Sequence, residues 1–318
     1  MRRADRSNHR PAALTTVLGA APPPVGGIDL DLPGAGIKLA GTRWPGAVGG
    51  GTPVVLLHGL ASQRRYWNLV VTRLAGLPML AIDQRGHGDT DRPADGYDAT
   101  TVAADLATAL DAIGWSRAVI VGHSWGGSVA ATFAAEHPER TLALVAIDGG
   151  FSSPPAGIDR AAALKRLEPP RFAAEPDELI AMISSRSAAG EWTDEVAAAV
   201  LPIFAVGDDG LARARLPFET HMKIAETLLD YDAVGTLERV RCAAWLVSCE
   251  QAAADDEWSR LKSEALTRLA GIVTKPRLLR WGGAVHDVPL QWPDLVAGLV
   301  RAAVLDAART QGDGGSHA

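Results

Sequence analysis

The chain has 318 residues, 47% of them hydrophobic and 21% charged, and a net charge of −6 with acids and bases interspersed. A chain this long buries roughly three-quarters of its unfolded surface, so it needs no disulfide or metal staple to fold. The lack of a basic block argues against a nucleic-acid partner, and the lack of an apolar run of about 18 residues argues against a membrane span. Cys242 and Cys249, the only two cysteines, flank one expected strand and show no metal-ligand pattern. They read as reduced thiols of a cytoplasmic protein.

The first residues, Met1-Arg-Arg, precede a stretch rich in Ala and Pro that Thr15, Thr16 and Pro22 to Pro24 interrupt. It lacks the unbroken apolar core of an export signal, so residues 1–26 read as a disordered leader. Ile28 to Leu32 and Ile37 to Trp44 alternate apolar and polar residues around Gly34 to Gly36, the pattern of an antiparallel hairpin at a sheet edge. Val54 to Leu57 is a continuous apolar run suited to a sheet buried on both faces, and it ends in His58-Gly59-Leu60. A helix over 67–74 and a strand over Met79 to Asp83 follow. Val102, Leu106, Ala109, Leu110 and Ile113 then fall at helical spacing.

Ala118 to Val121 delivers Gly122-His123-Ser124-Trp125-Gly126, and small and apolar residues continue to His137. A strand, a turn and a helix this tightly joined strain the central residue, and glycines two before and two after it remove side chains that would clash. Ser124 would thus project outward, with the first N–H groups of the helix facing the same space, where the helix dipole favours negative charge. Leu142 to Ile147 is a further buried strand, ending in Asp148-Gly149-Gly150. Strands alternating with helices imply parallel pairing with right-handed crossovers, and ligands in such sheets bind beyond the carboxyl ends of the strands. His58, Ser124 and Asp148 all fall at such ends. Prolines at 154, 155, 169, 170, 176, 202 and 217 then punctuate short amphipathic stretches over 177–186, 193–206 and 217–229. A strand over 243–247, a helix over 256–269, a strand over 277–281 and a helix over 293–308 close the pattern before a polar tail, 310–318.

Val54-Val-Leu-Leu-His58-Gly59-Leu60, Leu80-Ala-Ile-Asp83-Gln-Arg85-Gly86-His87-Gly88, Gly122-His-Ser124-Trp-Gly126 and a late His286 together resemble the α/β-hydrolase superfamily. The likeness covers residues 28–150 and 236–306. It implies an α/β fold: a mostly parallel sheet flanked by helices, with a core over 27–150 and 236–309 and an inserted helical cap over 151–235. It also implies that the backbone N–H groups of Leu60 and Trp125 form an oxyanion hole, and that Asp83 to Gly88 brace the floor of the site.

A serine hydroxyl needs a base, most often histidine. Of eight histidines, His9 and His317 lie in the tails, His137 stands at a helix end, His58, His87 and His123 belong to backbone motifs, and His221 lies in the expected cap. His286 remains, after the last strand, where the superfamily places its base. A carboxylate must fix the imidazole tautomer and stabilise the imidazolium. Relatives most often carry it after the strand here spelled Ala243 to Val247, yet this chain reads Ser248-Cys249-Glu250-Gln251 there. Some branches carry the acid one strand after the nucleophile, and Asp148 stands there, 24 residues after Ser124. Asp148 is the expected acid; Glu250, or Asp255 and Asp256, are the alternatives.

The expected chemistry is acyl transfer by Ser124, His286 and Asp148 on a small-molecule ester or lactone, without metal or organic cofactor. Trp125, Trp192, Phe204, Phe218 and Met222 are expected to line an apolar pocket, with His58 and His221 as further substrate contacts. Two other readings stay open on this fold: C–C bond hydrolysis or a lyase reaction, and a ligand receptor with little turnover. Relatives that open epoxides or displace halide carry Asp in place of Ser124.

Overall fold

A computed structural model describes residues 18, 26–48, 50–155, 157–186, 190–251 and 257–313. In chain order the core runs β1 (Ile28–Pro33), β2 (Lys38–Trp44), β3 (Val54–Leu57), α1 (Asn68–Arg73), β4 (Met79–Asp83), α2 (Ala99–Ala112), β5 (Ala118–His123), α3 (Trp125–Glu136) and β6 (Thr141–Ile147). An insertion follows: α4 (Arg160–Leu167), α5 (Pro176–Arg186), α6 (Asp194–Val200), β7 (Phe204–Val206), β8 (Ala212–Ala214), α7 (Phe218–Leu229) and α8 (Ala233–Leu237). The chain then returns through β9 (Ala243–Glu250), α9 (Glu257–Leu269), β10 (Pro276–Gly282), α10 (Val288–Gln291) and α11 (Pro293–Asp313).

Eight strands form one sheet in the order β1-β2-β4-β3-β5-β6-β9-β10. The hairpin β1–β2 joins β4 antiparallel, and every pair from β4 to β10 is parallel. Every residue of β3, β4 and β5 is buried, as strands covered on both faces require. Alternation sorts their side chains. Val55, Leu57 and Ile120 pack with α2 and α3 on one face, while Val54, Leu56, Val119 and Val121 pack with α1 and α11 on the other.

The order of strands locates the crevice. From β3 the chain passes through α1 to β4 on one side, whereas from β5 it passes through α3 to β6 on the other. Loops leaving two adjacent strands in opposite directions open a crevice at their carboxyl ends. Here those loops begin at His58 and Ser124, and a Cβ placed on Gly59 would lie 3.0 Å from Ser124 Cβ.

The insertion departs from the all-helical expectation. Residues 193–206 do not form one helix: α6 ends at Val200, a single 3₁₀ turn spans Leu201–Ile203 at Pro202, and β7 pairs antiparallel with β8. Leu179, Ile180, Ala197, Leu201, Phe204 and Ala212 form a small core of their own there, joined by Leu18. Helices α4 and α8 were absent from the expected pattern, and α8 straddles the expected boundary at 235. Apart from Leu18 and Gly26 the expected leader lies outside the described residues, as do Asp255, Asp256 and positions 314–318 of the tail; positions 310–313 belong to α11. No helix among the described residues is long and apolar enough to cross a membrane.

Candidate active site

Ser124 sits between β5 and α3 with φ 54° and ψ −123°, a left-handed conformation that a non-glycine residue adopts only when its surroundings impose it. The surroundings are specific. Ser124 N–H donates to Ile147 O (2.9 Å), and its own carbonyl accepts from Gly127 N–H (2.9 Å). A Cβ on Gly122 would meet Gly126 O at 2.0 Å, and one on Gly126 would meet His58 O at 2.4 Å. The two glycines are therefore required by close backbone approach across the crossing of strand and helix. Trp125 opens α3, so its N–H is one of the helix's unpaired first-turn donors.

Asp148 follows β6, also in a left-handed conformation, φ 49°. Its N–H donates to Val247 O (2.7 Å), which carries the β6–β9 pairing one residue past the strand and aims the carboxylate at the site. The two oxygens divide their partners. Oδ2 meets His286 Nδ1 at 2.6 Å, while Oδ1 accepts from Cys249 N–H (2.9 Å) and Lys262 Nζ (2.7 Å). Burial would push this carboxyl up, but His286 and then Lys262 hold it down at about 2.

His286 lies in the loop after β10, with 53% of its side chain open to a cavity. Its partial burial disfavours the imidazolium, yet the hydrogen bond and charge of Asp148, helped by Asp287, outweigh this and raise its pKa above the usual histidine value. Two further aromatic groups hold the loop. His123 Nε2 donates to His286 O (2.8 Å), and Tyr66 stacks on the His123 ring at 5.1 Å while its hydroxyl donates to Asp287 Oδ1 (3.0 Å).

The floor is braced as the resemblance implied. His58 Nδ1 donates to Gly59 O (2.8 Å) and its Nε2 accepts from Gln84 N–H (3.0 Å), while His87 Nε2 accepts from Ala61 N–H (3.2 Å). Both rings are fully enclosed, and burial lowers His58 to about 4 and His87 to about 3. Asp83 takes the N–H (2.6 Å) and guanidinium of Arg64 and the N–H of Asp89 (2.9 Å). The strand-end loop that carries Leu60 is thereby fixed beside Ser124.

Ser124, Trp125, Asp148 and His286 all line one cavity of about 580 Å³. Part of its wall comes from the insertion, through Pro154, Ile158, Arg166, Leu167, Leu228 and Leu229, while Lys262 of α9 lines it as well. The site therefore lies between the sheet's carboxyl edge and helices α4 and α7.

Of the residues expected at the pocket, Trp125 lines it and the others stand elsewhere. His58 belongs to the floor. His221 is buried with Nε2 donating to Leu167 O (2.8 Å), tying α7 to α4. Phe218 lies under the Arg171 guanidinium (3.5 Å to the ring centroid), and Trp192 and Phe204 pack in the insertion's own core. Met222 is half-buried on α7, outside the cavity wall. Helical spacing alone cannot tell the face of a cap helix turned to a cavity from the face turned to its neighbours.

The two candidate acids separate clearly. β9 is longer than expected and carries Ser248, Cys249 and Glu250 within the strand, so Glu250 is a strand residue and not the turn residue that was expected. Glu250 stands opposite Gly282 and its carboxylate lies 3.4 Å from Arg280. Lys262, Tyr66 and the His123 side chain were missed. A signal existed for Lys262, which shares the buried stripe of α9 with Leu266 and Leu269; a lysine on an apolar stripe calls for a buried partner. Both cysteines are free thiols, Cys249 buried and Cys242 partly so. Among the described residues no group of three His, Cys, Asp or Glu side chains is placed to hold a metal ion.

A family model described as the alpha/beta hydrolase fold matches residues 52–179. A soluble epoxide hydrolase of Corynebacterium sp. (strain C12) is 37% identical over 101 residues, covering 31% of this chain and 35% of that protein. A 2-(acetamidomethylene)succinate hydrolase of Mesorhizobium japonicum is 36% identical over 101 residues, 31% of this chain and 36% of that protein. The matched stretch thus spans about a third of the length of these relatives. Over the whole fold, a crystal structure of E-2-(acetamidomethylene)succinate hydrolase superposes with a TM-score of 0.72 at 22% identity, covering 87% of this chain and 99% of that one. With its eight-stranded sheet, its serine elbow and the match of residues 52–179 to that family's model, the chain has the α/β-hydrolase fold.

Proposed function

We propose that the chain is a serine hydrolase that cleaves a small to medium, largely apolar carboxylic ester or lactone by acyl transfer. The observation that carries this reading is the strained Ser124 on the wall of the same cavity as His286, whose other ring nitrogen is held 2.6 Å from Asp148. Ser124 Oγ attacks the acyl carbon while His286 Nε2 takes its proton; the N–H groups of Leu60 and Trp125 hold the oxyanion. The intermediate collapses by breaking the bond to the alcohol oxygen, which leaves with the proton from His286. Water then repeats the sequence and releases the acid and free Ser124. Asp148 stays ionised throughout, keeping the imidazole proton on Nδ1 and stabilising the imidazolium. Serine rather than aspartate at 124 speaks against the epoxide chemistry named for one of the relatives. The two free cysteines fit a reducing, cytoplasmic setting.

The test is a panel of p-nitrophenyl esters of graded acyl length, with several lactones, on the wild-type protein and Ser124→Ala. Turnover of at least one substrate, lost in Ser124→Ala, is expected; turnover unchanged by that substitution would overturn the assignment. The profile against acyl length sizes the cavity. Because His286 is raised, activity should fall as pH drops through a midpoint above the ordinary histidine value of 6.5.

A further inference from the structure

Asp148 carries more than its role as a triad acid calls for. Holding an imidazole in one tautomer needs one carboxylate oxygen, and Oδ2 supplies it. The other oxygen already accepts the N–H of Cys249, yet it also receives the ammonium of Lys262 at 2.7 Å. That ammonium makes a second bond to Cys249 O (3.2 Å), and its side chain is only 8% exposed. A buried lysine is costly unless paired. Lys262 comes from α9, the last helix before β10, and lines the same cavity as Ser124 and His286.

We propose that Lys262 is a positioning residue that sets the pH range of the Ser124–His286–Asp148 centre, by anchoring Oδ1 of Asp148 and offsetting part of the negative charge that His286 faces. The inference rests on the serine-hydrolase reading for its functional meaning, though not for its physical test.

The charges around His286 define what Lys262 must balance. Asp148 faces it from the end of β6 and Asp287 from its own loop, and both favour the imidazolium. His123 on β5 lies beside it, ring centroids 4.7 Å apart, but burial keeps His123 neutral by lowering it to about 4. The Cys249 thiol on β9 is pushed up by burial and by Asp148, and the Tyr66 hydroxyl is raised likewise, so both are neutral. Arg166 on α4 is a second cation on the cavity wall, but Lys262 is the one bonded to Asp148, set against the two carboxylates and opposing protonation of His286. Without it, His286 would hold its proton to higher pH, and a smaller fraction would act as base near neutrality. A hydrogen-bond donor without charge would fix the Asp148 rotamer but leave this imbalance.

The experiment is an NMR titration of the full-length protein carrying ¹⁵N-labelled histidine, comparing wild type with Lys262→Met, Lys262→Gln and Lys262→Arg. His286 should titrate about half a unit or more higher in the Met and Gln variants, and within about 0.2 of wild type in the Arg variant, on the scale where one unit is a tenfold change in proton affinity. Gln, which keeps a donor, carries the test if Met does not fold. A His286 midpoint unmoved or lowered in the neutral variants would overturn the proposal. The same proteins are then labelled with a fluorophosphonate across pH. The acid limb of the Ser124 labelling rate should shift with the NMR midpoint. Absence of labelling in the wild type would instead overturn the hydrolase reading, while the titration would still decide the charge effect of Lys262.

Discussion

Helices α3 and α4 both border the cavity, and they are built in opposite ways. Every residue of α3 from Trp125 to Ala135 is buried, and its start lies so close to β5 and to the end of β3 that Gly122 and Gly126 admit no side chain. Helix α4 has no buried residue; it is capped by Asp159 and tied to α7 through the Leu167–His221 bond. The first geometry can hold an attacking oxygen to a fraction of an ångström. The second can drift or change sequence at small cost. In this molecule the sheet edge fixes the chemistry, and the insertion decides what fits beside it.

The sharpest way to break that division is at the backbone crossing. Gly149→Ala would drive a Cβ to 2.1 Å from Ser124 O, against backbone that has nowhere to move. We expect a loss of about 3 kcal/mol or more, in the range of severe core overpacking, read as a collapse of Tm or of soluble yield. Next comes the choice between strand ends. Asp148→Asn should lower kcat by about 10³- to 10⁴-fold through the wrong imidazole tautomer. It should also lower Tm, because Lys262 loses its counter-charge. Glu250→Gln should alter kcat less than about threefold, since it breaks only a half-exposed contact with Arg280. Comparable losses in both variants would mean that β9 contributes an acid after all.

A pH series sharpens the account of the floor. His58, His87 and His123 are held neutral by burial at about 4, 3 and 4, against an ordinary value of 6.5. The unfolded chain therefore takes up protons first, and stability should fall as pH drops from about 6.5 toward 4. Asp148 acts in the same direction at lower pH: its pKa is lowered too, so its stabilisation is present above about 3.8 and is lost as pH falls toward 2. A flat Tm between pH 7 and pH 5 would contradict the buried, neutral histidines. The smallest effect is expected in the insertion. Leu167→Ala on the partly exposed α4 should change Tm by no more than a few degrees yet shift the preferred acyl length upward, measured with the same ester panel.

The same contrast explains what was legible in the sequence. β3, β4 and β5 announce themselves as apolar runs because both faces are covered, and Gly122-His-Ser124-Trp-Gly126 is legible because close packing leaves glycine no substitute. His286 and Asp148 followed from strand-end position and the family resemblance, and the structure brings them together. The insertion hid more. Helix α4 has no apolar stripe to read, and Pro202 turns an expected helix into a ribbon. The pocket wall was misplaced because aromatic residues there pack in the insertion's own core or against neighbouring side chains, while Leu167, Leu228 and Leu229 face the cavity. Lys262 escaped notice because its partner lies 114 positions away in sequence.

The most direct measurement is intact-mass and peptide mapping after fluorophosphonate treatment of the wild-type protein, Ser124→Ala and Asp148→Asn. The account predicts a single adduct on Ser124, none in Ser124→Ala, and labelling slowed by roughly a thousandfold in Asp148→Asn. Labelling at another residue, or at an equal rate in wild type and Asp148→Asn, would contradict it.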